Sequence, residues 1–252
     1  MHPTRLRSRM VNMESQRLGA SRNTLIGALE PHAPGQVAEH FERVSLDNGE
    51  LIVAAGKRIA HAFFPESAVT SVLDVLADGS RIEIAIVGFE GMAGWPAILR
   101  SEVSPHDVRV QGYGGTALRI EMPVLLDLCV AHPDMCGVLL RYVNAFVVQV
   151  GRTAVSNLRD PVERRLSRWL LMCHDRLEGD EIDLTHKTIA TMLGMRRASV
   201  TDGLNALEGG SMIRNRRGRI VIRDRGELRR MAGDGYGHSE AHYSQTIAPF
   251  GK

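Results

Sequence analysis

The sequence has little cysteine and few aromatic residues, and it lacks any long apolar run. Its three cysteines, Cys129, Cys136 and Cys173, do not make a disulfide framework or a Cys-x-x-Cys metal site. No apolar stretch reaches the length of a membrane span, and the start has no secretory apolar region, so we expect a cytoplasmic protein. Hydrophobic residues still make up 44% of the chain, which is enough to bury a core.

Motifs that mark common enzyme sites are also absent. The chain has no His-x-His pair of the kind a cupin uses for its metal, no Gly-x-Ser-x-Gly elbow and no P-loop. We therefore assign no catalytic residue, no metal ligand and no cofactor. A cupin-like β-roll metalloenzyme with a helical appendage is kept as the alternative to the function derived below.

The charge is unevenly distributed, although the net charge is only +2. Residues 21–132 carry 8 basic and 14 acidic side chains, whereas residues 159–230 carry 16 basic and 11 acidic ones. An acidic first half joined to a basic second half indicates that only the second half meets a polyanion. Random scatter of surface charge is the alternative explanation.

Short apolar runs between Arg43 and Glu121 predict an antiparallel β-roll or sandwich. Turn signals separate the runs, and the clearest are Asp47-Asn-Gly49 and Ala77-Asp-Gly79. The predicted strands cover residues 51–55, 71–76, 82–87, 108–110 and 117–120. One or two short helices are predicted ahead of them, within residues 21–40.

A long helix is predicted from Pro133 to about Leu158, because proline fits the first turn of a helix. One apolar stripe consists of Cys136, Val143, Val147, Val150 and Ala154, and a second of Leu139, Tyr142 and Phe146. A helix that is apolar on two faces must bury both. We expect one face on the β-roll and the other, at Val143 and Val147, on the same helix of a second subunit. Burial within one chain is the alternative.

Residues 184–208 predict two short helices around one glycine, which is the helix-turn-helix arrangement. Thr185 suits the N-cap of the first helix, and Gly194 can adopt the left-handed conformation of the turn. In the second helix one stripe faces inward, formed by Val200, Leu204 and Leu207. Arginines at the start of that helix can therefore reach guanine edges in the major groove.

A basic hairpin follows, with a turn at Arg217-Gly-Arg219 and a strand over 220–222, and it predicts a wing that contacts phosphates. Packing of two helices without any nucleic acid is the alternative for the helical pattern alone. The residues we assign to DNA contact are Thr185, Arg196, Arg197, Ser199, Thr201, Asp202, Asn205, Arg216, Arg217 and Arg219.

The order of β-roll, long helix and winged helix-turn-helix resembles the Crp/Fnr family of bacterial regulators. The resemblance covers about residues 22–230 and is strongest over 161–222. It implies that Arg197 matches the leading arginine that reads the DNA half-site in the family. The next family position is usually glutamate but is Ala198 here, and Asp202 replaces a later arginine. We therefore expect a different half-site from that of the best-known member.

The resemblance also implies a cyclic-nucleotide-binding-like sensor domain. Members that bind cyclic AMP hold it with a Gly-Glu pair and a downstream Arg-Ser pair. Here Gly88 and Glu90 match the first pair only loosely, and Asp107 lies near the second, where it would repel a phosphate. Gly88, Glu90 and Gly91 are weak candidates for an anion cradle, with a tight corner of the β-roll as the alternative. The effector is unknown, and we expect it not to be cyclic AMP.

The predicted fold class is α+β, with an N-terminal antiparallel β-roll, a long dimerisation helix and a C-terminal winged helix-turn-helix. The predicted domains are a disordered basic tail (1–20), a β-roll sensor (21–132), the dimerisation helix (133–158), the DNA-binding domain (159–230) and a flexible C-terminal tail (231–252). The predicted function is a sequence-specific regulator that binds a two-fold promoter site in double-stranded DNA as a homodimer. RNA polymerase is a candidate partner, and a membrane is not.

Overall fold

A computed structural model describes residues 21–32, 35–112, 114–216 and 218–252. The predicted basic tail, residues 1–20, and the wing residue Arg217 lie outside this range. The described chain has a β-rich N-terminal half, a long helix and a helical C-terminal half with a small sheet. This agrees with the predicted α+β class.

The N-terminal half begins with helix α1 (Thr24–Leu29) and continues as a β-roll. Its strands are β1 (Glu42–Leu46), β2 (Leu51–Val53), β3 (His61–Pro65), β4 (Val69–Val75), β5 (Arg81–Val87), β6 (Asp107–Gln111) and β7 (Gly115–Glu121). They form two antiparallel sheets, in the orders β1-β7-β3 and β2-β6-β4-β5. Side chains from both sheets fill one core with α1 and the long helix.

All five predicted strands are present, but β1 and β3 were missed. Strand β3 is buried along almost its whole length and carries no alternation of polar and apolar residues. A short apolar run of this kind has no period that separates strand from helix. The two predicted turns are confirmed, because Gly49 and Gly79 both have φ near 80°.

Two helices follow the β-roll, α2 (Met122–Ala131) and α3 (Pro133–Arg159). They meet at a 119° bend, and Pro133 opens α3 as predicted. No single helix of the described residues has the length and apolar character to cross a membrane, and only the bent α2–α3 pair reaches that length and composition together.

The buried face of α3 is wider than its sequence pattern indicated. Leu139, Tyr142 and Phe146 enter the β-roll core as expected. Val143 is also buried within the chain, at 5% exposure, whereas Val147 is 56% exposed. Assigning Val143 to a partner-facing stripe was therefore wrong. Helix α1 and the helix α8 (His238–Thr246) pack on α3 in addition to the β-roll, and so widen its buried face.

The C-terminal half, as far as it is described, combines helices with one three-stranded sheet. Its elements up to residue 232 are α4 (Val162–Arg176), β8 (Glu181–Ile182), α5 (His186–Met192), α6 (Arg197–Gly209), β9 (Ile213–Arg216), β10 (Arg219–Ile222) and α7 (Arg225–Ala232). The sheet order is β8-β10-β9. Its core also includes Val69 and Ile86 of the β-roll, so the two halves share a continuous apolar contact.

The last residues do not form the flexible tail that the sequence predicted. Residues 231–232 belong to α7, and α8 packs against α3. Tyr243 in α8 is only 4% exposed and belongs to the β-roll core. The segment is polar on average, but a few aromatic side chains suffice to anchor it.

Candidate nucleic-acid interface

Helices α5 and α6 are joined by a turn, and residues close in sequence set the start of α5 and the conformation of this turn. Thr185 is the N-cap of α5, and its side chain accepts a hydrogen bond from the Thr188 backbone N–H. Gly194 has φ +59°, the left-handed conformation that glycine adopts at low cost. Leu193, just before it, accepts a hydrogen bond from Arg165 of α4 at 2.7 Å, which ties the turn to the helix beneath it.

Helix α6 buries one stripe and exposes the opposite side. Val200, Leu204 and Leu207 have no exposed surface and pack into the core of the C-terminal half. Most of the predicted contact residues in and before α6 lie outward. Arg196, Arg197, Asp202 and Asn205 are exposed, whereas Ser199 and Thr201 are half-buried. The predicted inward and outward faces of this helix are confirmed.

One histidine connects three parts of this surface, and sequence reasoning missed it. His186, the first residue of α5, has its Nδ1 3.0 Å from Thr201 Oγ1 of α6 and its Nε2 3.1 Å from Asn215 Oδ1 of β9. The imidazole therefore fixes the second helix and the hairpin relative to the first helix. Thr201 is engaged in this contact, which favours a positioning role for it over direct contact with DNA.

Strands β9 and β10 form the predicted wing hairpin, in which Arg216 lies opposite Arg219. Arg216 is exposed. Arg219 instead pairs with Glu181 of β8 at 2.8 Å and with Asp183, just after that strand, at 3.0 Å. These carboxylates offset its charge, so the two arginines are not equivalent for binding a polyanion.

The exposed arginines at the start of α6 and the basic hairpin lie on the same winged framework. A helix of this kind inserts its first residues into the major groove, and a guanidinium forks onto the O6 and N7 atoms of guanine. Exposed arginines in a hairpin beside it can bind the phosphates. The surface therefore has the parts that direct readout of DNA requires.

A family model for the Crp-like helix-turn-helix domain matches residues 164–231. The matched range begins within α4 and ends within α7, so it includes both helices around Gly194 and the wing. No curated protein sequence matches the chain.

Solved structures match the fold over most of the chain. The CRP-family transcriptional regulator TTHB099 from Thermus thermophilus has 18% identity, a TM-score of 0.63, and covers 77% of this chain and 97% of its own. FixK2 from Bradyrhizobium japonicum has 14% identity and a TM-score of 0.66, over 77% of this chain and 98% of its own. This chain has the fold of a Crp/Fnr transcription regulator.

A third Crp/Fnr-type structure, the c-di-GMP responsive global regulator CLP from Xanthomonas campestris, matches with 16% identity and a TM-score of 0.60. It covers 78% of this chain and 98% of its own length.

The metalloenzyme alternative is not supported. No group of three or more His, Cys, Asp or Glu side chains that could hold a metal occurs among the described residues.

In this Crp/Fnr fold, the residues that were weak candidates for an anion cradle contact other groups of the protein. The Glu90 carboxylate accepts the Gly88 N–H at 3.1 Å and pairs with Arg176 of α4 at 2.7 Å. A Cβ at Gly91 would collide with the Tyr142 hydroxyl. In place of a ligand, the loop therefore holds its own carboxylate and an arginine from the DNA-binding half. That favours the tight-corner alternative.

Asp107 is paired within the β-roll, which changes its expected effect on a phosphate. Arg109 lies in β6, within the predicted strand 108–110. Asp107 is buried at 4% exposure, accepts the Ala55 N–H at 2.9 Å and pairs with Arg81 at 2.8 Å. Its charge is offset by Arg81, so the repulsion of a phosphate that we expected is weakened.

A second buried carboxylate links the two halves, and no pattern in the sequence pointed to it. Glu83 of β5 accepts the Trp169 indole N–H of α4 at 2.6 Å and the amide of Gln111 at 2.6 Å. Burial raises the pKa of Glu83 to about 7, against the opposing effect of hydrogen bonds from Ser71 and Trp169 and of the charges on Arg176 and Arg168.

Proposed function

We propose that this Crp/Fnr-type chain is a homodimeric, sequence-specific regulator that reads a two-fold DNA site with α6 and holds the phosphates with its wing. The observation that carries the proposal is the exposure of Arg196 and Arg197 at the start of a helix whose other face is buried. We assign base readout to Arg197 and assign phosphate contact to Arg216, with Arg217 as a further wing residue. We propose no catalytic role.

Selection of bound duplexes from random oligonucleotides tests this proposal. A recovered motif with two inverted half-sites, about one helical turn apart, would support a two-fold dimer on DNA. Recovery of no motif, with equal binding to all sequences at each salt concentration, would contradict sequence-specific readout. RNA polymerase stays a predicted partner.

The exposed face of α3 supports the homodimer. Its exposed apolar or small residues recur at heptad-like spacings: Leu140, Val147, Gly151, Ala154 and Leu158. Leu140, Val147 and Leu158 are 44%, 56% and 87% exposed. An apolar stripe with spacings of three and four matches the seam of a two-stranded coiled coil. We therefore propose that this face, without Val143, binds a second copy of the chain.

We also propose that cyclic AMP is not the effector. The support is the loop at 88–91, where Glu90 is engaged by Arg176 and Gly91 lies against Tyr142. A cyclic phosphate would have to break a buried ion pair before it could approach this loop, which is costly. Similarity to a c-di-GMP responsive regulator suggests that molecule as a second nucleotide to test.

A further inference from the structure

The chain's last segment lies beyond the matched helix-turn-helix domain and runs between the two halves. The family match ends at residue 231, and α8 begins at His238. After α8 the backbone continues to Lys252, which hydrogen-bonds to residues at the end of α4. We refer to residues 238–252 as the C-terminal segment.

On one side the C-terminal segment contacts the β-roll. The Tyr243 hydroxyl donates to the Glu90 carbonyl at 2.6 Å and lies 3.2 Å from the Thr24 hydroxyl. The Phe250 ring contacts the Tyr243 ring edge-to-face at 5.4 Å and the Phe89 ring at 5.9 Å. These contacts cover the corner of the β-roll that holds Gly88 and Glu90.

On the other side the same segment contacts the DNA-binding half. The Arg176 guanidinium lies 4.9 Å from the centre of the Phe250 ring, a cation–π contact. The Lys252 backbone N–H donates to Asp175 at 3.2 Å, and its ammonium donates to the Gly179 carbonyl at 2.7 Å. One short segment therefore contacts both halves of the protein.

The segment also shields the ion pair that joins the halves. Arg176 and Glu90 have side-chain exposures of 1% and 5%. A buried ion pair holds two elements together only while water is excluded, because the attraction between hydrated charges contributes little to stability. Tyr243 and Phe250 lie directly beside this pair. Their removal would admit water to it and weaken the contact between the β-roll and α4.

We propose that the C-terminal segment is an intramolecular ligand of the crevice between the 88–91 corner and α4, and that it holds the DNA-binding half against the β-roll. The crevice takes an aromatic peptide segment that also carries a cationic side chain, that of Lys252. A small molecule that entered it would have to displace Tyr243 and Phe250. This proposal concerns docking of the two halves and does not depend on the DNA-binding role proposed above.

Amide hydrogen exchange on the full chain and on a chain that ends at Gly237 tests the proposal without DNA. We expect exchange at residues 88–91 and 172–176 to rise at least about tenfold in the shortened chain, while exchange in β1 and β7 is unchanged. A synthetic peptide of residues 238–252 should restore protection with saturable binding. Unchanged exchange at both sites would overturn the proposal, and so would a peptide that binds without restoring protection.

Two point variants keep the test decisive if the shortened chain does not fold. Phe250→Ala removes the ring over Arg176 and should raise exchange at 172–176, whereas Gln245→Ala, an exposed change in the same segment, should not. Equal effects of the two variants would show that the contact with Arg176 has no special part in docking.

Discussion

At the residue scale, the two arginine groups of the winged surface should differ in what they contribute to binding. Arg197→Ala should cost about 1–3 kcal/mol per half-site on the preferred sequence and relax the choice at one base pair, because a base contact is lost. Arg216→Ala should weaken binding to all sequences about equally and reduce the salt slope by about one per half-site, because a phosphate contact is lost. Binding to matched and mismatched sites over a salt series measures both effects.

Arg196 and Arg219 are the controls for that series. Arg196 precedes α6 and is exposed, so Arg196→Ala shows whether it makes the base contact instead of Arg197. Arg219 is held by Glu181 and Asp183, and Arg219→Ala should therefore lower the salt slope less than Arg216→Ala. Our assignment of helix and wing is wrong if Arg216→Ala changes the specificity ratio and Arg197→Ala does not.

Glu83 should make stability depend on pH. Burial raises the pKa of its carboxyl from an ordinary value of 4.5 to about 7, so the folded chain binds this proton more tightly than the unfolded chain. Its contribution to stability is complete below pH about 4.5 and is lost as the pH rises through about 7. The variant Glu83→Gln has an amide at this position, which cannot ionise. Relative to wild type, its free energy of unfolding should rise by up to about 3 kcal/mol between pH 5 and pH 8.

Denaturant unfolding across that pH range measures the difference between wild type and variant. Glu102→Gln changes an exposed carboxyl in the same half of the protein and should leave the pH dependence as it is. Parallel pH profiles for wild type and Glu83→Gln would show that the buried carboxyl does not titrate in this range.

At the element scale, α3 carries two faces with different roles. Its inner face is fixed by the β-roll, including the Gln149 side chain, which accepts the Ile86 N–H of β5 at 2.8 Å. Its outer face presents Leu140, Val147 and Leu158 to solvent in a single chain. Apolar side chains that recur along one exposed helix face favour association through that face.

Val147→Glu should dissociate the proposed dimer. Two carboxylates would lie opposite each other in an apolar seam, and we expect dimer dissociation to become at least about 100-fold more favourable. Sedimentation velocity over a concentration series measures this change. Val130→Glu is the matched control, because Val130 is 66% exposed on α2 and outside the seam. A Val147→Glu protein that sediments like wild type would place the interface elsewhere.

At the scale of the whole molecule, the two halves are docked by buried polar contacts as well as by apolar ones. The Glu90–Arg176 and Glu83–Trp169 pairs each join the β-roll to α4. Val69 and Ile86 extend the core of the DNA-binding half into the β-roll. A ligand that repositions the DNA-binding half would have to act on these contacts, since they join the two halves.

Cyclic AMP should therefore bind weakly or not at all. Isothermal titration calorimetry with cyclic AMP and cyclic GMP should give no saturable heat at micromolar concentrations, because the 88–91 loop is filled by Glu90, Arg176 and Tyr142. Titration with c-di-GMP in parallel tests the other nucleotide named above. A micromolar dissociation constant for cyclic AMP would contradict this prediction and the assignment of the 88–91 loop on which it rests.

The sequence by itself determined the winged helix-turn-helix. The Thr185 cap, the left-handed Gly194 and the stripe of Val200, Leu204 and Leu207 each depend on residues within a few positions of one another. Capping, turn conformation and helical period are local properties, so they can be read along the chain. The start of α3 at Pro133 is likewise set by a local property, the preference of proline for the first turn of a helix.

The tertiary structure alone decided which charges pair and which surfaces stay free. Glu90 and Arg176 are 86 positions apart, as are Glu83 and Trp169, and no local pattern links such partners. The burial of Val143 and the docking of α8 likewise depend on elements that are distant in sequence but adjacent in space. The spacing of apolar residues along a helix shows that one face packs against another apolar surface. Which surface that is depends on how the elements pack.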